Sequence, residues 1–436
     1  MKRTDNQPKF DALRKEFSTF TYERQTVKLK DGILSLAFDF DLDNRYHFRP
    51  TLEIPARPFF HWDSIPEEQL QALAFQIGMT ELVSYWKIAC PKKVLVKPFA
   101  LTEPQKAFWK KLYYNGLGEF LYLNGITVKE EELMEFEAQG EKAFPKVEVP
   151  LEEKTLVPVG GGKDSVVTLE CLRNEMPVIP MIVNPRGATL NCVKTAGYKE
   201  EEYIVVNRTL DPTMLKLNAE GYLNGHTPFS ALLAFVNLLV AFGSQSRYIA
   251  LSNENSANES TVPGTNINHQ YSKSIEFESD FRHYVAEHLN QEVQYFSFLR
   301  PLSELQIASL FAKCKAYHPV FRSCNVGSKT DSWCGHCPKC LFTWIILSPF
   351  LTRAELVSIF GKDLMADESL RPILEELDGT AAVKPFECVG TVEEVRACLL
   401  AMQNNRLEID EILRRFNANH FLPEKFERIL KSRLYV

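Results

Sequence analysis

Val157-Pro-Val-Gly160-Gly161-Gly162-Lys163-Asp164-Ser165-Val-Val-Thr-Leu-Glu170 sets three glycines between a strand-like apolar run and a stretch that reads as a helix. Phosphate binding asks for this arrangement. Glycines let backbone N–H groups approach phosphate oxygens without Cβ clashes, and the helix N-terminus adds the positive end of its dipole. Lys163 brings a mobile cation and Ser165 a short hydroxyl donor, whereas Asp164, an anion, suits a Mg²⁺ ion or the loop itself better than phosphate. A plain strand-to-helix turn also accommodates three glycines, but Lys-Asp-Ser at the helix start weighs against it. Walker A spacing, Gly-x-x-x-x-Gly-Lys-Ser/Thr, is absent, and a Rossmann Gly-x-Gly-x-x-Gly does not fit.

On either side of this loop, Leu156–Val159, Val178–Val183, Tyr203–Val206 and Tyr248–Leu251 read as strands with helix-like stretches between them. That alternation predicts an α/β core with a parallel sheet and helices on both faces. Upstream, Glu137–Lys154 is charged, carries Pro145 and Pro150, and reads as a linker. Before it, residues 25–56 alternate as strands, with Lys30-Asp31-Gly32 as a turn. Pro66–Ala89 and Glu103–Leu123 have helical spacing, and Val94–Lys97 is a short strand between them. Downstream, Thr352–Val436 is almost all helix-like. The sequence thus divides into a mixed α+β N-terminal domain over 1–150, a nucleotide-binding domain over 151–350 and a helical C-terminal region over 351–436.

With 436 residues, 45% of them hydrophobic and 24% charged, the chain can bury a substantial core. A formal charge of −6 gives no electrostatic footprint for nucleic acid or an anionic membrane. The start, MKRTDNQPKF, is basic but leads into DALRKEFSTF rather than an apolar signal core, so a cytoplasmic location is expected. The most apolar run, Ala231–Phe242, contains Asn237 and is shorter than the roughly 20 residues that span a bilayer; it reads as a buried helix.

Ten cysteines are too few for a disulfide scaffold in a chain of this length, and four gather as Cys324-x9-Cys334-x2-Cys337-x2-Cys340. Four soft ligands at short spacing suit a tetrahedral structural Zn²⁺, with Gly335 and Pro338 supplying the turn chemistry and His336 a neighbouring or substitute ligand. An iron–sulfur cluster and a set of unliganded thiols are the competing explanations. Cys192 and Cys314 read as buried, inert thiols.

Ser252-Asn-Glu-Asn-Ser-Ala-Asn-Glu-Ser260 follows a predicted strand, and loops at the carboxyl ends of strands line the ligand crevice of an open α/β sheet. Asn253, Glu254, Asn258 and Glu259 are therefore candidates for Mg²⁺, ribose or substrate contacts, against the alternative of a solvated loop. Arg186, Lys273 and Arg282 are candidates for clamping an acidic substrate, and His226 and His269 for moving protons.

The loop closely resembles the Ser-Gly-Gly-x-Asp-Ser signature of PP-loop ATP pyrophosphatases, with Gly160 where that family usually has serine. The cysteine spacing is similar to the zinc site of 7-cyano-7-deazaguanine synthase, a PP-loop enzyme. Taken with Asn184-Pro-Arg-Gly187-Ala and Ser252-Asn-Glu-Asn-Ser-Ala-Asn-Glu259, the whole chain from about residue 20 resembles the UDP-N-acetylmuramoyl-L-alanyl-L-glutamate epimerases of the MurL type.

The resemblance implies a PP-loop core of the adenine nucleotide alpha hydrolase kind, with ATP cleaved to AMP and pyrophosphate at Gly160, Gly161, Gly162, Lys163, Asp164, Ser165 and Asn253. It implies inversion of the terminal L-glutamate of a UDP-linked muramoyl peptide during peptidoglycan precursor synthesis. Lys163, Asp164, Glu254 and His269 are its candidate catalytic residues, and a PP-loop enzyme that forms amides or modifies nucleobases is the alternative.

Overall fold

Asp31 and Gly32 hold φ of 52° and 73°, the left-handed pair that a two-residue hairpin turn needs, and they fold β1 (Thr19–Lys30) back on β2 (Ile33–Leu42). The computed structural model describes residues 3–434. Its compact units follow spatial neighbours rather than chain order. One comprises residues up to Glu152 together with Val206–Arg247 and Tyr271–Val293; the other comprises Glu153–Val205, Tyr248–Gln270 and Gln294 onward. The helical C-terminal stretch therefore belongs with the glycine loop instead of standing apart as a third region.

In the first unit, β2 also pairs antiparallel with β3 (Tyr46–Phe48) and β4 (Thr51–Ile54), and β1 pairs in parallel with β5 (Lys93–Val96). A further parallel strand, β6 (Glu135–Ala138), pairs β5 and begins just ahead of the stretch that composition marks as a linker. Alternation along β2 buries Leu34, Leu36, Phe38 and Phe40 on one face. Against this sheet lies the helix Glu67–Trp86, buried along nearly its whole length, as is Phe229–Gly243. Helices apolar all round belong inside. The long stretch Glu103–Leu123 forms two helices, Glu103–Gly116 and Gly118–Leu123.

The second unit carries β7 (Glu152–Pro158) beside β8 (Val178–Val183) in parallel, and β10 (Ser246–Leu251) beside β11 (Gln294–Ser297) in parallel, in the order β11-β10-β7-β8. The last residues of β9 (Ile204–Thr209), which belong to the first unit, pair antiparallel with β4 there. The helix Lys163–Leu172 makes the crossover from β7 to β8, as the alternating pattern predicts. Its apolar face joins a core with Glu304–Lys313, Pro338–Leu347, Val392–Met402 and Glu424–Leu434, around Phe311, Trp344 and Phe426. Within the helix-like stretch Thr352–Val436, residues 406–416 are helical over Leu407–Ile412. Among the described residues no helix is long and apolar enough to cross a membrane.

Glu81 and Arg208 form a buried ion pair in the first unit, with Nη2 donating to Oε2 at 2.7 Å and the two side chains 1% and 12% exposed. Glu81→Ala would remove the carboxylate that neutralises the buried guanidinium and should lower stability by about 3–5 kcal/mol. Arg24→Ala, which breaks a solvent-exposed pair with Asp39 at 2.8 Å, should cost far less. Denaturant unfolding of the two variants measures the contrast, and equal losses would refute it.

Candidate active site and metal centre

The glycine loop lies at the carboxyl end of β7, and the segment that follows β11 returns to it. Ser303 caps the helix Glu304–Lys313 through a reciprocal pair with Gln306, which fixes Glu304 at the first helical position. There Glu304 and Asp164 both accept hydrogen bonds from Lys163 Nζ. Lys163 is 2% and Glu304 4% exposed, while the Asp164 side chain remains about one third open. Loops after the two parallel strand pairs thus meet over one ammonium group.

Burial works against the charge of Lys163, but the Asp164 and Glu304 carboxylates more than offset it and hold the ammonium above its ordinary range. Burial also pushes the Glu304 carboxyl well up. Lys163 opposes that shift, and Asp164, Glu254 and Glu394 add to it. Acids therefore outnumber the single lysine in a dry setting. Glu394, on Val392–Met402, accepts from Leu305 N–H at 3.1 Å, so a C-terminal helix braces the turn that carries Glu304.

Gly161 sits at φ +79°, and a Cβ there would lie 2.9 Å from the backbone of Ala188 and Thr189. A Cβ on Gly160 would meet nothing within 4 Å. The loop thus has room for a side chain at position 160. Ser165 Oγ donates to Gly162 O at 3.0 Å, tightening the first turn.

Asn253 Nδ2 donates to Ser297 Oγ at 3.1 Å, which ties the loop after β10 to β11. The Glu254 carboxylate accepts from Ala257 N–H at 3.0 Å, and its carbonyl accepts from the fully buried Arg300 at 2.6 Å. Glu254 is buried and acts electrostatically on Glu304, so it belongs to the same acidic group. Glu259 pairs with Lys384, and Asn258 Nδ2 donates to Asn255 O at 3.0 Å, within its own turn.

His269 is placed by its N–H on Thr261 Oγ1 at 3.0 Å in the same unit. In the first unit, His226 Nδ1 lies 3.6 Å from Glu119, Lys273 ends a short 3₁₀ turn and Arg282 sits on the helix Ile275–His288. Arg186 donates to Ser328. The Cys192 thiol is buried and pushed up to about 12, and burial takes that of Cys314 up to about 11, as inert thiols require.

Sequence reasoning missed Glu304 and Glu394, which stand 141 and 231 positions beyond Lys163. A Ser-x-x-Gln capping signature at Ser303–Gln306 marked a helix start there, but nothing in the sequence pairs it with the glycine loop.

Cys324, Cys334, Cys337 and Cys340 bring their sulfurs within 4.8 Å of one another, with pairs at 3.8, 3.6 and 3.5 Å. Four sulfurs about 2.3 Å from one tetrahedral ion stand roughly 3.8 Å apart, so the set fits a metal. His336 turns away, its Nδ1 2.8 Å from the Cys334 carbonyl, and is exposed.

Residues 11–298 match the family model described as the MurL N-terminal domain, and residues 320–425 the MurL C-terminal domain. The chain belongs to the MurL family. It is 33% identical to the UDP-N-acetyl-alpha-D-muramoyl-L-alanyl-L-glutamate epimerase of Xanthomonas oryzae pv. oryzae, over 92% of this chain and 89% of that one. The Micromonospora enzyme of the same name is 35% identical, over 89% of this chain and 88% of its own, and that of Salinispora tropica 34%, over 87% and 84%. As a MurL protein, the chain is an enzyme of the isomerase class.

Gly161→Ala should destabilise the protein by about 1–3 kcal/mol, because alanine resists a positive φ and its methyl meets the backbone of Ala188 and Thr189. Gly160→Ser should stay within about 0.5 kcal/mol of the parent. Thermal or denaturant unfolding separates the two, and equal losses would show that the loop is not shaped this way.

Proposed function

We propose that this MurL protein inverts the terminal L-glutamate of UDP-MurNAc-L-Ala-L-Glu to D-glutamate, with ATP cleaved to AMP and pyrophosphate at the glycine loop. The observation that carries the ATP step is the buried Lys163 beside three glycines at a helix N-terminus, held between Asp164 and Glu304. The substrate is that named for its relatives.

The chemistry explains the need for ATP. The glutamate nitrogen is already acylated, so it cannot form a Schiff base, and a free carboxylate disfavours a carbanion next to it. An oxygen of the α-carboxylate attacks the α-phosphorus, and pyrophosphate leaves. The Cα proton of the acyl-adenylate is then acidic enough for a side-chain base, and reprotonation from the opposite face inverts the centre. Water finally cleaves the acyl–phosphate anhydride, giving the D-product and AMP.

Lys163 and the loop N–H groups serve the phosphates, with Ser165 and Asn253 as further polar contacts. Phosphate would compete with the carboxylates for the ammonium, and Asp164, about one third open, would then be the carboxylate offered to Mg²⁺. A bound Mg²⁺ would neutralise the leaving pyrophosphate. Glu254 and His269 are the candidate base and acid. The core is then of the PP-loop type, the four cysteines hold a structural Zn²⁺, and the reaction is cytoplasmic, where its nucleotide substrates are made.

In D₂O with ATP and Mg²⁺, the D-glutamyl product should carry deuterium at Cα, with pyrophosphate formed. Inversion without ATP would exclude adenylation. Pyrophosphate release with retained configuration and proton would favour an amide-forming or nucleobase-modifying enzyme. Lys163→Ala and Glu304→Gln should each lower pyrophosphate release at least about 100-fold, the order lost with one preorganised charge-stabilising group. Wild-type rates in either variant would remove the loop from the chemistry.

Metal analysis should find about one zinc per chain. Cys337→Ser should lose it and unfold at lower temperature, since binding energy at such a site is folding energy. Iron with acid-labile sulfide would overturn the assignment.

A further inference from the structure

The nine residues between Cys324 and Cys334 are longer than a metal knuckle needs, and the chain around them touches two helix N-termini of its own unit. Two residues before Cys324, Arg322 N–H donates to Gly161 O at 2.8 Å. Ser323 Oγ accepts from Lys163 N–H at 3.4 Å and would lie 3.0 Å from a Cβ on Gly162. The Arg322 guanidinium is tied back by donating to Asp331 O at 3.2 Å and to Pro319 O at 2.9 Å. Within the nine residues, the Asp331 carboxylate fills the space a Cβ on Gly187 would need, 2.5 Å away, and Ser328 accepts from Arg186. Cys324 Sγ itself accepts from Gly327 N–H at 3.2 Å. The sulfur cluster therefore anchors a strap that runs under the glycine loop and across the start of the helix Gly187–Thr195.

We propose that the four-cysteine knuckle sets the shape of the glycine loop, acting through Ser323 and the backbone of Arg322, so that metal loading and phosphate binding are coupled. Ser323 is a positioning residue: its hydroxyl holds the N–H of Lys163 while the metal holds Cys324, one residue along. With the metal removed, the strap loses its fixed end and the backbone donors of the loop lose their common direction. The proposal rests on the phosphate role of the loop, but its consequence for loop order does not require any nucleotide.

Hydrogen exchange of the full-length protein without nucleotide, followed by mass spectrometry, tests it. Chelation of the metal should speed exchange in the peptide spanning Gly160–Ser165 by about tenfold or more, while peptides from β10 and β11 stay protected. Ser323→Ala, with its metal content intact, should speed the same peptide about fivefold, as expected for loss of one hydrogen bond. It should also raise the KM for ATP more than it lowers kcat. Unchanged loop exchange after the metal has left overturns the proposal. If chelation unfolds the whole chain, the metal-loaded Ser323→Ala protein decides, and parental exchange in it is equally fatal. A loop that responds as expected in a protein that releases no pyrophosphate would sink the ATP reaction and leave the coupling standing.

Discussion

Removing an ammonium from water costs several kcal/mol unless opposite charges and hydrogen bonds replace the solvent, and Lys163 is almost wholly buried. Asp164 and Glu304 supply that replacement, and much of the second unit is arranged to keep them there. β7 delivers the loop, the cap at Ser303 fixes Glu304, and Glu394 reaches from a C-terminal helix to hold the backbone beside it. The charge count is uneven, since Asp164, Glu254 and Glu394 all act on Glu304 while Lys163 alone opposes them.

This dependence gives the C-terminal helices and the cysteine knuckle a common purpose. Both approach the same strand ends, one through the turn at Glu304 and the other through the strap at Arg322 and Ser323. A loop built from three glycines has little stiffness of its own. Its geometry must be imposed from outside, by the close fit of Gly161 on Ala188 and Thr189 and by the strap beneath Gly162.

Local patterns were legible wherever the physics is local. The Asp31-Gly32 hairpin, the alternation in β2, the crossover from β7 to β8 and the apolar helix Phe229–Gly243 all follow from turn chemistry or periodicity. The cysteine spacing likewise brings four sulfurs together as short loops must. Where periodicity is weak the sequence misled: β6 starts at the edge of the presumed linker, and the helix within Arg406–Phe416 stops at Ile412, since Ile409 and Ile412 are the buried residues that hold its turns.

By itself the sequence determined where the glycine loop opens a helix and where four thiols gather, because glycine freedom, turn chemistry and cysteine spacing act over a few positions. It also carried the MurL motifs over most of the chain. Only the tertiary structure decided that Glu304 and Glu394 stand behind Lys163, that Glu254 joins them as a buried acid, and that Ser323 lies under the loop. These contacts join positions far apart in the chain. Their energies come from burial and charge neutralisation, which no local pattern records.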